Sequence, residues 1–171
     1  AVVYDHPVIL VTDHKINLVE DIYPVLEMIA RDNKPLIIVA EEVEGQALAA
    51  LIMNTTRGTL KVAAVKPPSY GEDRRNILKD LCVATGATFI SRESNLSLAE
   101  TKLNHLGSCR KIEVLKYLTT IVGGKGDYTK IDARIASLKE EIEQTEDLRE
   151  CTSIQDRITR LGSGIALVKV G

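Results

Sequence analysis

The residues that could do chemistry fall into four groups. They are the histidines His6, His14 and His105, the cysteines Cys82, Cys109 and Cys151, the acidic run Glu41, Glu42 and Glu44, and the stretch Gly123-Gly-Lys-Gly126. The local patterns that mark a metal-binding or general-base histidine are H-x-x-x-H and H-x-E, and none of the three histidines shows either. There is no G-x-S-x-G elbow for a serine nucleophile. The cysteines are odd in number, far apart and make no C-x-x-C pair, which argues against a disulfide framework or a zinc site. They read as small apolar side chains in a reducing compartment. A phosphate cradle requires G-x-x-x-x-G-K-[ST], but Asp127 follows Gly126, where a carboxylate repels an anion and suits a helix N-cap instead. The three glutamates sit after a strand and before a helix. That is a place for ligating a hard cation, and equally for acids that favour a helix N-terminus. A small α/β metal-dependent enzyme built on Glu41, Glu42 and Glu44 therefore stays open.

Composition narrows the classes. The 171 residues weigh 18.8 kDa, with 44% apolar and 27% charged, ordinary values for a globular chain. Net charge is 22 − 24 = −2, so no strong field points at nucleic acid or an anionic membrane. Five Tyr, one Phe and no Trp leave few rings for stacking bases. No apolar run reaches the length of a membrane span. The chain opens Ala1-Val2-Val3 with no targeting segment and closes on the strand-like Ile165-Ala-Leu-Val-Lys-Val-Gly171. Both ends are expected to be cuts through a longer protein.

The elements that would position these residues alternate. Val8–Thr12, Leu36–Ala40, Leu60–Val65 and Thr88–Ile90 read as strands, separated by helices over 18–31, 45–57 and 72–84. That order predicts β-α-β units and a partly parallel sheet. Residues 112–122 read as paired strands. Ile131, Ile135, Leu138 and Ile142, then Ile154, Ile158 and Leu161, recur at helical spacing on either side of Glu146-Asp147, an αα-hairpin pattern.

Two of these helices carry more apolar surface than one core face can use. In the first, Val19, Ile22, Val25 and Ile29 form a core stripe, and Tyr23 and Leu26 widen it to a second side, with Pro24 inside. In the second, Ala47-Leu-Ala-Ala-Leu-Ile-Met53 covers the whole circumference, so that if Ala47, Ala50 and Leu51 face a sheet, Leu48, Ile52 and Met53 are left outside. Either the domain or a neighbouring protomer encloses this helix on both sides, or the pair presents an apolar groove to a partner.

The run Lys34-Pro-Leu-Ile-Ile-Val-Ala-Glu-Glu-Val-Glu-Gly-Gln-Ala-Leu-Ala49 resembles the apical domain of group I chaperonins, the GroEL family. Asn54, Arg57-Gly58, Lys61–Lys66, Thr85-Gly86, Leu106-Gly107 and the closing run from Arg160 extend the resemblance over essentially the whole chain. It departs from the family pattern at Tyr23, at Pro68-Ser-Tyr-Gly-Glu-Asp-Arg-Arg75 and over 149–154, as a divergent member would. The resemblance implies a single α/β domain with the swivelling β/β/α apical fold, a β-sandwich flanked by helices with a C-terminal helical hairpin. It also implies binding of non-native polypeptides and of a co-chaperonin mobile loop between the two helices, at Tyr23, Leu26, Glu27, Leu48, Ile52, Met53 and Asn54. ATP and Mg would belong to other domains of the parent subunit, so that no catalysis and no cofactor are expected in this chain. Its expected partners are unfolded clients, a GroES-like lid and further subunits of a ring, with no nucleic acid and no membrane. The expected compartment is the cytoplasm, or alternatively an organelle matrix or stroma.

Overall fold

Two strands buried along their whole length organise the molecule. In this computed structural model, residues 2–68, 71–115 and 118–163 are described, together with the backbone of 165–169. The altered Ser69-Tyr70 turn and the end of the closing run at Val170-Gly171 lie outside the described residues.

In chain order the elements are β1 (Val2–Asp5), β2 (Val8–Thr12), β3 (Lys15–Ile16), α1 (Val19–Asp32), β4 (Leu36–Val39), β5 (Glu42–Val43), α2 (Gly45–Thr56), β6 (Val62–Val65), α3 (Gly71–Thr85) and β7 (Phe89–Ile90). After two short 3-10 turns come β8 (Gly107–Val114), β9 (Leu118–Gly124), α4 (Tyr128–Gln144), α5 (Leu148–Ser163) and β10 (Ile165–Lys169). The continuous apolar runs of β2 and β4 pair in parallel, Val8 opposite Leu36, because both faces of each are covered. β6 extends the sheet in parallel beyond β4, and β7 returns to the far side of β2. The eight residues of β8 then curl the sheet. Its start pairs with β2, and its remainder lies between β1 and the β9 arm that continues to β10.

Side-chain alternation splits the interior into two layers. Val8, Leu10, Leu36, Ile38 and Val62 meet α1 and α2 on one face. Ile9, Val11, Ile37, Val39 and Val65 meet α3 and the β8–β9 arm on the other. Each fully buried Ile or Leu here contributes about 1.5–3 kcal/mol. A third cluster joins α4 to α5 through Ile131, Leu138, Ile154, Ile158 and Leu161, against Val83 and Ala84 of α3. The result is the expected mixed α/β body, a curled sheet with helices on its faces and a C-terminal helical hairpin.

Local chemistry sets the ends of α1. Glu20 and Asp21 lie in its first turn, and Asn33 closes it in the left-handed region at φ 52°. Pro24 falls one turn deeper than a proline is best tolerated, and the carbonyl it leaves unbonded belongs to Glu20, an exposed residue free to meet water.

Cys82 and Cys109 are buried and free, and Cys151 is half-buried. Burial pushes the Cys82 thiol up to about 12 and the Cys109 thiol up to about 11. A raised acid pKa stabilises the neutral form in the fold. Stability is therefore expected to be complete below about pH 9 and to fall by up to about 1.4 kcal/mol per pH unit for each thiol as it rises towards those values. Reaction with an aromatic disulfide reagent at pH 8 should give one fast thiol in the folded protein and all three in denaturant. Three fast thiols in the folded state would contradict this core.

Candidate functional site

The strand order decides how the two apolar helices present themselves. α1 crosses from β2 to β4 and α2 from β4 to β6, so they lie side by side on one face, parallel to each other. Around α2, Ala47 and Leu51 point into the core. At about 100° per residue, Leu48, Ile52 and Thr55 then fall on one flank and Ala50, Met53 and Asn54 on the other. Leu48, Leu51, Ile52, Thr55 and Thr56 line a trough of about 320 Å³ with Val62 and Ala64 of β6, which identifies the first flank as the one facing away from α1. Because the helices are parallel, the same turn sense places Tyr23, Glu27 and Ala30 of α1 on its α2 side. Ala30 indeed borders a small cleft with Gly58–Lys61, directly after α2.

The residues expected in one groove are therefore divided. Tyr23 is 54% exposed and Met53 51%, on facing flanks of the two helices. Leu48 is 39% and Ile52 58% exposed, on the opposite side of the α2 crest. Leu26 is a correction: at 8% exposure it is part of the core beneath the helices, since it stands about 40° from Ile22 around the helix, inside the buried stripe. Asn54 is half-buried and donates through Nδ2 to the Ala50 carbonyl at 2.8 Å, which holds it to its own helix. Glu27 is exposed one turn after Tyr23, and the nearness of its carboxylate, which favours the protonated hydroxyl, raises the phenol above its usual 10. Tyr23 thus keeps an apolar ring with a neutral polar tip at physiological pH.

The acidic run does not converge. Glu41 lies 3.9 Å from Arg74 and 4.0 Å from Arg92, Glu42 lies 3.7 Å from Lys15, and Glu44 is exposed just before α2. Among the described residues no group of three or more His, Cys, Asp or Glu could hold a metal ion. Glu41 instead joins a polar cleft of about 420 Å³ at the carboxyl ends of β2, β4 and β7. There Arg75 bridges Glu93 at 2.9 Å and the buried Asp13 at 3.8 Å. No local sequence motif marks this network, because its members come from four separate segments.

The glycine-rich stretch packs against protein. A side chain at Gly124 would stand 2.2 Å from the Ala84 carbonyl oxygen, and one at Gly126 2.1 Å from that of Val83. Asp127 caps α4, accepting from the Thr129 amide at 2.8 Å. The loop closes over the end of α3, and its residues do not fit a phosphate.

A solved chaperonin shares this fold. The chaperonin gp146 of bacteriophage EL 2 (Pseudomonas aeruginosa), crystallised with ATP-BeFx, superposes with a TM-score of 0.65 at 16% identity. The match covers 97% of this chain and 34% of that one, so the present chain spans about a third of the chaperonin's length. No family model matches the sequence. The likeness establishes a chaperonin-like α/β fold.

Proposed function

We propose that this chain is the apical, polypeptide-binding domain of a chaperonin subunit related to the group I family, and that α1 and α2 form its client surface. One observation carries the reading: Tyr23, Leu48, Ile52 and Met53, all large and apolar, stand more than a third exposed on two adjacent helices. Full burial of such a side chain is worth about 1.5–3 kcal/mol, so at roughly half exposure each forgoes about 1 kcal/mol that burial under a partner recovers. The surface is tolerant by composition, since Met adapts its shape and Tyr combines an apolar ring with a hydrogen-bonding tip. Clients would be held by apolar burial with little regard for sequence, and a co-chaperonin loop would compete for the same residues. A single copy binds weakly, and a ring of copies multiplies the affinity through effective concentration. ATP and Mg would act in other domains of the parent subunit.

The test is a titration of a fluorescently labelled amphipathic peptide, read by anisotropy. Micromolar binding is expected, weakened at least tenfold in a Leu48→Ser/Ile52→Ser variant whose circular dichroism is unchanged. Equal binding by both proteins, or by neither, would remove α2 from the site.

A further inference from the structure

The trough on the outer flank of α2 has a floor that the inter-helix side lacks, namely an edge strand. β6 pairs with β4 and, among the described residues, with no strand on its other side. Leu36 donates its amide to the Lys61 carbonyl at 2.8 Å, and Ala40 donates to the Val65 carbonyl at 3.1 Å. Residues 61, 63 and 65 therefore turn their backbone groups towards β4, and strand alternation turns the N–H and C=O of Val62 and Ala64 outwards. The same two residues direct their side chains under Leu48, Ile52 and Thr55. The open edge and the apolar trough thus share one set of residues.

An open backbone edge is a template for a further strand, and a helix cannot use it because its own amides are already paired. We infer that β6 and the outer flank of α2 bind an extended apolar segment of a client polypeptide by strand addition, with alternate client side chains entering the trough. This rests on the polypeptide-binding reading and deepens it by naming the conformation bound. Lys61 and Lys66, both exposed, bracket Val62-Ala-Ala-Val65. They limit the added strand to about four residues and favour a segment with acidic flanks over one with basic flanks.

The experiment uses an unstructured peptide with four apolar residues between aspartates, titrated against the whole chain. Two analogues carry N-methyl groups on alternate amides, one set of each parity. Binding is expected to weaken at least tenfold for one parity and to stay within about twofold for the other, because only one edge of the added strand faces β6. The Ala64→Pro variant, which removes an outward amide and no bond to β4, should lose binding of the parent peptide to the same extent. Equal binding by both analogues, with Ala64→Pro unimpaired, would overturn strand addition while leaving polypeptide binding in place. Failure of the parent peptide itself to bind would overturn both. Self-association of the free protein that Ala64→Pro abolishes would assign the edge to a second copy and overturn the client assignment.

Discussion

Asp80→Ala is expected to destabilise the protein by about 3–5 kcal/mol, the cost of stranding charge that has been taken out of water. Asp80 lies on α3, is buried, and holds the helical hairpin to the body with both oxygens. Oδ1 accepts from Nε of Arg134 on α4 at 2.8 Å and from a terminal nitrogen of Arg157 on α5 at 3.1 Å, and Oδ2 accepts from Nε of Arg157. Without the carboxylate, two guanidiniums face each other across the α3–α4–α5 junction. Urea unfolding measures the effect, and the midpoint should fall by about 2 M at a slope of roughly 2 kcal/mol per molar. A loss under 1 kcal/mol would mean that water already shares this network.

Gly126→Ala should have the second large effect. The added methyl would stand 2.1 Å from the Val83 carbonyl oxygen and 2.9 Å from the Ala84 carbonyl. Both neighbours are backbone at the end of α3, so no side chain can swing aside. The loop between β9 and α4 must move, and with it the bond from the Gly126 amide to the Ala84 carbonyl at 3.0 Å. A cost of about 3 kcal/mol, at the top of the overpacking range, lowers the melting temperature by roughly 6–12 °C. Gly162→Ala is the control: nothing stands within 4 Å of its added methyl, and α5 should gain slightly. Equal melting temperatures for Gly126→Ala and the unaltered protein would contradict the close approach.

The parallel part of the fold is legible in sequence for a physical reason. β2 and β4 are buried on both faces, and only continuous apolar, β-branched runs satisfy that environment. β1 is largely exposed and exists through its pairing with β8, so its own residues carry little signal. Asp80 illustrates the same limit in polar form, since its partners lie 54 and 77 residues away and local periodicity cannot select them.

At the candidate surface the apolar excess of α1 and α2 is visible in the sequence, but the division of that excess between core and surface is not, and Leu26, placed on the second side by its apolar character, is buried. Which flank of α2 faces α1 is a different kind of fact. It follows from β6 lying outside β4, and strand order leaves no mark on the residues of the helix. That is why Leu48 and Ile52 were expected in one groove with Tyr23, and stand instead across the crest of α2 beside Ala64.

The most direct test of the account is a map of amide chemical-shift changes in the isotope-labelled protein as an unfolded apolar peptide is added. The predicted changes fall on the exposed faces of α1 and α2, at Tyr23, Glu27, Leu48, Ile52 and Met53, and continue onto Val62 and Ala64, while the α4–α5 hairpin stays unchanged. Changes confined to the polar cleft around Asp13 and Arg75, or no changes at saturating peptide, would contradict a client surface on these helices.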